Sequence, residues 1–171
     1  ETLWFNTGTL CNIECVNCYI ESSPKNDRLV YLSTGEVVQF LDEIAEQQFG
    51  TREIGFTGGE PFLNPDMIDI LEQTLSRGFE TLVLTNAMQP MLRPRVRDGL
   101  LALKDKYGRQ LTMRISLDHH GIALHDKERG TGSWDKALEG INWLNTQGFA
   151  IALAGRTCWE ESEADERNGY A

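Results

Sequence analysis

Strand-like and helix-like hydrophobic periodicities alternate along this chain from one end to the other, and that alternation limits the available folds more than any other feature. Thr2–Asn6, Arg52–Thr57, Phe79–Thr85, Leu111–Leu117 and Phe149–Gly155 are short runs of strand length. Helical patterns separate the later ones. Ser33-Thr-Gly-Glu36 is a capping box that opens a helix with Val37, Leu41 and Ile44 on one face, ending near Gly50. Asn64 and Pro65 read as cap and first helical position of a second helix, which carries Ile68, Leu71 and Leu75 and stops at Gly78. A third is expected from about Pro94 to Tyr107, closed by Gly108. In a fourth, Ser133 caps and Trp134, Leu138, Ile141 and Leu144 follow, with Gly148 ending it. Strands alternating with helices of this length build βαβ units, hence a parallel sheet with crossovers of one hand. The expected class is α/β.

The 171 residues suffice for one domain with a sizeable core, and 40% hydrophobic with 25% charged residues is ordinary for a globular protein. A net charge of −10, from 26 acidic and 16 basic residues, argues against nucleic acid or an anionic membrane surface as partner. No run approaches the ~20 apolar residues of a membrane span. Cysteine usage fits a reducing compartment, so the expected location is cytoplasmic. A start at Glu1 without Met, and an acidic run from Glu160 to Arg167 resembling the beginning of a helix, suggest a piece of a longer protein.

The residues with chemistry in them gather at one place in this scheme. Cys11, Cys15 and Cys18 follow the first strand, Gly58-Gly59-Glu60-Pro61 the second, Asn86 the third, Ser116 and Asp118 the fourth, and Arg156 the fifth. In parallel α/β architectures the C-terminal ends of the strands form the site. A C-x3-C-x2-C loop curls three thiols around one point. Three suits an iron–sulfur cluster with one iron left for a non-protein ligand. Structural zinc needs four ligands, which His119, His120, His125 or Cys158 would have to complete. A disulfide would strand the third thiol.

These motifs together resemble the radical S-adenosylmethionine (SAM) enzymes over nearly the whole chain. The cysteine loop is similar to their C-x3-C-x2-C motif and Gly58–Pro61 to their GGE motif. Ile115–Gly130 with Gly132-Ser133 resembles the subgroup that often carries a C-terminal auxiliary-cluster (SPASM or twitch) domain. The resemblance implies a partial parallel (β/α) barrel with about five of its six units within residues 1–171, the sixth strand and any auxiliary domain lying beyond Ala171. It implies a [4Fe-4S] cluster on Cys11, Cys15 and Cys18. The fourth iron would bind SAM, which is cleaved reductively to a radical that takes a hydrogen atom from substrate. A low-potential donor of flavodoxin or ferredoxin type, and a small-molecule or peptide substrate, are implied with it.

Roles for single residues follow from the same resemblance. Gly58 and Gly59 would let the backbone approach a ligand, their carbonyls and Glu60 accepting from the SAM ammonium group. Ser116 and Asp118, on one face of the fourth strand, would hold ribose hydroxyls or part of the methionine moiety. Asn86 is a further ribose candidate. Arg129, and similarly Arg156, would pair with the SAM carboxylate. Asn17 stands where the family commonly has an aromatic residue, leaving a backbone contact, while Tyr19 follows the motif. His125-Asp126 reads as loop-structuring, Trp134 and Trp143 as packing residues, and Cys158 as a lone thiol or auxiliary ligand. Two other classes stay open: a non-catalytic iron–sulfur electron carrier or sensor, and a zinc-stabilised binding module.

Overall fold

The computed structural model describes residues 1–157 and 159–171, so Cys158 lies outside the described residues. Five parallel strands, β1 (Thr2–Asn6), β2 (Glu53–Thr57), β3 (Glu80–Thr85), β4 (Leu111–Ser116) and β5 (Ala150–Ala154), form one sheet in the order β1-β2-β3-β4-β5. Among the described residues six helices lie between the strands, α1 (Thr34–Gln47), α2 (Met67–Ser76), α3 (Gln89–Leu92), α4 (Pro94–Tyr107), α5 (Ile122–Arg129) and α6 (Ser133–Thr146), and a seventh, α7 (Glu163–Tyr170), follows β5. None is long and apolar enough to cross a membrane.

Each strand splits its residues between two faces, because side chains alternate along it. Phe5, Ile54, Phe56, Val83, Met113 and Ile115 point to the helical layer and are buried against Val37, Leu41, Ile70, Leu71, Leu100 and Leu144. The register places Trp4 beside Gly55, Gly55 beside Leu82, Leu84 beside Arg114 and Arg114 beside Ala152, which belong to the opposite face. That face is curled. The outer strands of a flat five-stranded sheet would stand roughly 19 Å apart, yet Trp4 of β1 and Ala154 of β5 line one cavity. A parallel sheet with neighbours in sequence order, helices outside and a cavity inside is the wall of a partial (β/α) barrel.

The capping box is present: Ser33 Oγ accepts from Glu36 N–H, and the Glu36 carboxylate accepts from Ser33 N–H at 2.8 Å. Two helix starts differ from expectation. Asn64 does not cap α2, because its Nδ2 donates to Leu32 O (2.7 Å) and its Oδ1 accepts from Asp66 N–H (2.9 Å). A 3-10 turn, Pro61–Leu63, intervenes and α2 begins at Met67. At α6 the cap is Gly132, with φ +75, and Ser133 is the first helical residue. Its hydroxyl donates to Asp126 Oδ1 at 3.0 Å. The acidic C-terminal run does form a helix, α7, capped by Ser162.

Candidate functional site

The cysteine loop rests on a platform made by the end of β2. After β1 the chain runs on beside Gly58–Glu60: Gly59 N–H donates to Gly8 O (2.8 Å) and Glu60 N–H to Leu10 O (3.0 Å). These contacts explain both glycines. A Cβ on Gly58, whose φ is +136, would come within 2.6 Å of Gly8 O, and one on Gly59 would overlap the Leu10 carbonyl. The close approach is therefore to the base of the cysteine loop itself, besides any ligand.

Glu60 is 1% exposed and fully engaged. Its Oε1 accepts from Thr85 Oγ1 (2.8 Å) and Phe62 N–H (3.2 Å), and its Oε2 from Asn86 N–H (2.9 Å). Burial raises its pKa, opposed by those hydrogen bonds. The carboxylate expected to meet a ligand's ammonium group thus ties the ends of β2 and β3 together. Asn86 continues the tie, donating through Nδ2 to Asn12 Oδ1 (2.9 Å) and lying 3.9 Å from Cys11 Sγ.

Cys11, Cys15 and Cys18 line one cavity together with Gly58, Gly59, Asn86, Ser116, Arg129 and Arg156. The sequence-predicted residues absent from its lining are Asn17, Glu60 and Asp118. Burial pushes the Cys11 thiol up to about 12, aided by the nearby Glu60 and Cys15 and opposed by backbone N–H groups. Cys15 is also raised by burial, against the pull of the Arg129 cation. Protonated thiols in such surroundings lose their protons on binding a thiophilic cation, which supplies the missing positive charge. Ser22 N–H donates to Cys18 Sγ at 3.2 Å. Soft donors on one cavity wall, with amide groups near two sulfurs, fit the ligation and hydrogen bonding of an iron–sulfur cluster.

Behind the thiols lies a network of charged groups. Asp118, 2% exposed, receives both Nε (2.7 Å) and Nη2 (3.0 Å) of Arg129, and Arg156 Nε stands 3.2 Å from its Oδ1. The bidentate pair leaves Arg129 Nη1 without a protein hydrogen bond among the described residues. Asp118 therefore anchors two arginines, a part additional to the ribose or methionine contact expected of it, and it also lines a second cavity beside that of the cysteines. Arg156 Nη1 in turn donates to Asn17 O (3.0 Å).

Glu128 is a residue of the candidate site that the sequence did not reveal. It is 4% exposed, and its carboxylate accepts from Asn17 N–H (2.8 Å) and Asn17 Nδ2 (2.7 Å) while its carbonyl accepts from Val16 N–H (2.9 Å). The cysteine loop is thereby fastened to α5, and both backbone groups of Asn17 are already engaged within the protein. In the sequence Glu128 sits in the run Asp126-Lys127-Glu128-Arg129 and passes for a solvated charge. The usable signal was helical spacing, since buried His125, Glu128 and Arg129 share one face of α5.

The histidines stay apart from the thiols. His119 Nδ1 accepts from Gly121 N–H (2.8 Å), which assigns the proton of the neutral ring to Nε2, 3.0 Å from Glu161 Oε2. His120 Nε2 is 3.5 Å from the same carboxylate oxygen. Neither these nor His125 lines the cysteine cavity, so zinc finds no histidine there as a fourth ligand. Asp126 is loop-structuring as expected, accepting from Gly132 N–H (2.7 Å), Trp134 N–H (2.9 Å) and Ser133 Oγ. Trp143 packs on Phe149 and lies beneath Arg97, and Trp134 meets His125 edge-on, both packing roles.

Comparison with known proteins agrees with this geometry. The model of the radical SAM superfamily matches residues 5–157. The antilisterial bacteriocin subtilosin biosynthesis protein AlbA of Bacillus subtilis is 31% identical over 147 residues, covering 84% of this chain and 30% of that protein. The mycofactocin maturase MftC of Mycobacterium tuberculosis is 32% identical over 140 residues, covering 82% and 33%. Streptococcus suis SuiB, solved bound to its precursor peptide SuiA, superposes with a TM-score of 0.77 at 18% identity, over 99% of this chain and 35% of that one. The chain thus spans about a third of the length of these relatives. With the C-x3-C-x2-C loop and the glycine platform set at the C-terminal ends of a parallel barrel wall, the chain belongs to the radical SAM superfamily, whose cofactors are a [4Fe-4S] cluster and SAM.

Proposed function

We propose that this chain is the core of a radical SAM enzyme that starts hydrogen abstraction from a peptide, and that Cys11, Cys15 and Cys18 hold its cluster. The carrying observation is that these three thiols share one cavity with Arg129, Arg156, Ser116 and the Gly58-Gly59 backbone, and with no histidine. When bound, the cluster supplies one low-potential electron to SAM, whose reductive cleavage generates the hydrogen-abstracting species.

The residues around that chemistry divide their tasks. The thiols leave one coordination position for a non-protein ligand. Arg129, held by Asp118, offers its remaining Nη1 to a carboxylate, with Arg156 as a second cation; Ser116 and Asn86 offer a hydroxyl and an amide to ribose. The Gly58-Gly59 backbone forms the wall between, and Glu60 and Glu128 position the wall and the loop. Burial keeps water from the Cys11 sulfur, while Cys15 and Cys18 are half-buried.

A peptide as substrate is supported by MftC, named a maturase, and by SuiB, solved with a precursor peptide. The electron would come from a flavodoxin- or ferredoxin-like donor. A sixth βα unit and an auxiliary-cluster domain would belong to the remainder of the enzyme, as the share of the relatives spanned suggests. The test is anaerobic reconstitution followed by iron and sulfide analysis, then incubation with SAM and dithionite. One [4Fe-4S] cluster per chain with release of 5′-deoxyadenosine is expected, and the Cys15→Ala variant should show neither. A protein that holds its cluster but releases no 5′-deoxyadenosine would overturn the reading in favour of an electron carrier.

A further inference from the structure

The inner face of the curled sheet carries an unpaired cation on β4. Arg114 lies on β4, opposite Leu84 of β3 on one side and Ala152 of β5 on the other. Its exposed side chain lines a cavity of about 490 Å³ next to the cysteine cavity, sharing with it Tyr19, Thr57, Leu84, Ser116, Arg129 and Arg156. That volume suits a small ligand or a few residues of a peptide. Three arginines line it, Arg114, Arg129 and Arg156, against a single carboxylate, Asp118. Asp118 already pairs with Arg129 and Arg156. Arg114 pairs with no carboxylate among the described residues. In a chain with 26 acidic and 16 basic residues, a guanidinium left without a partner inside a cavity stands out.

The walls on either side differ. Trp4, 43% exposed, lays its indole across Gly55, where a Cβ would come within 2.5 Å of the ring. Gly55 thus makes room for an aromatic wall on the β1–β2 side. On the β5 side the register aligns Ala150, Ala152 and Ala154 with Thr112, Arg114 and Ser116, so that side contributes little bulk. The cavity therefore combines a cation on β4, one aromatic wall on the β1–β2 side and open space on the β5 side.

We propose that Arg114 receives a substrate carboxylate and is the specificity-determining residue of this enzyme, with the apolar part of the same substrate against Trp4. The assignment rests on the radical SAM reading of the cysteine cavity. Arg114 precedes Ser116 by two strand residues, roughly 7 Å deeper into the barrel. A substrate anchored there by its acid group presents the adjoining carbons towards the thiol end of the cavity. The side chain of a glutamate within a peptide and a free dicarboxylic acid share the required chemistry. Arginine suits it because its planar fork bonds a carboxylate through two parallel N–H groups.

The experiment uses the reconstituted full-length enzyme and isothermal titration with Ac-Ala-Glu-Ala-NH2, its glutamine counterpart Ac-Ala-Gln-Ala-NH2, and glutarate. The glutamate peptide should bind at least about tenfold more tightly than the glutamine peptide, the discrimination of a charge-assisted hydrogen-bond pair. Arg114→Gln should abolish that ratio, and Arg114→Lys should retain part of it; the cluster content of each variant reports on folding. Binding of glutarate as tight as the peptide would support the assignment and point to a free acid, and weaker binding would support it and point to a peptide. Equal affinity for the two peptides in the unsubstituted enzyme, or an unchanged ratio in Arg114→Gln, would overturn it. Release of 5′-deoxyadenosine by the unsubstituted enzyme checks the underlying reading separately: its absence would sink that reading, and the substrate assignment with it, whatever the peptides do.

Discussion

At the scale of single residues, the site is held together by groups that touch no ligand. Gly59 and Glu128 are the clearest, one seating the base of the cysteine loop and the other clamping its middle at Asn17. Gly59→Ala drives a methyl group into the Leu10 carbonyl, and relief requires the loop to move off its platform. A destabilisation of roughly 1–3 kcal/mol is expected in urea unfolding, the cost typical of overpacking. Glu128→Ala removes both acceptors that hold Asn17, so stability should fall by about 1–3 kcal/mol and the cluster should bleach faster in air than in the unsubstituted protein. An unchanged bleaching rate would show that the clamp does not govern loop order.

Asp126 makes a third residue-scale case, with a definite sign. Burial opposes its charge, but hydrogen bonds from Trp134, Gly132 and Ser133 outweigh that and hold its carboxyl below the usual carboxylate range. A carboxyl depressed by folding contributes stability that is full above its unfolded pKa of about 3.9 and is lost as pH falls through the lower folded value. Asp126→Asn should therefore reduce stability at neutral pH and flatten the acid limb of the stability–pH curve. A variant whose acid limb keeps its slope would contradict the hydrogen-bonded assignment.

At the scale of elements, the sequence was legible where burial follows hydrophobic period and silent where it does not. The bounds of β1 and α4 coincide with the reading of their patterns, because turn residues and apolar alternation agree there. Helix α5 carries no hydrophobic period because its buried face is His125, Glu128 and Arg129, which any apolar pattern counts as surface. The start of α2 differs from its local signal for a related reason. Asn64 has the chemistry of a cap, but the tertiary fold employs it on Leu32 and Asp66. Local chemistry thus identified the cysteine loop, the glycine platform and the strand-end residues, while the Asp118–Arg129–Arg156 and Glu128–Asn17 bonds needed three dimensions. Those bonds give Asp118 and Asn17 partners within the protein, and Glu60 is likewise tied to Thr85, Phe62 and Asn86.

At the scale of the whole molecule, the sheet presents two edges. β1 and β5 each pair on one side only, and Leu3, Phe40, Phe49 and Leu153 are exposed near them. Unpaired strand edges flanked by apolar side chains invite pairing with other chains. The isolated 171-residue chain should therefore self-associate as concentration rises, to be seen by sedimentation velocity. Sedimentation as a monomer at every concentration tested would show that these edges are protected. The same curled sheet sets the cavity lined by Trp4 and Arg114 beside the cavity of the cysteine loop, with Tyr19, Thr57, Leu84, Ser116, Arg129 and Arg156 common to both.

In the proposed function the three thiols leave one metal position to SAM. Electron paramagnetic resonance of the anaerobically reconstituted, dithionite-reduced protein tests it, with spectra recorded before and after adding SAM. A [4Fe-4S] signal whose shape shifts on addition of SAM, and which is missing from the Cys11→Ala, Cys15→Ala and Cys18→Ala triple variant, is the predicted result. A full-intensity cluster signal that SAM leaves unaltered would contradict the account.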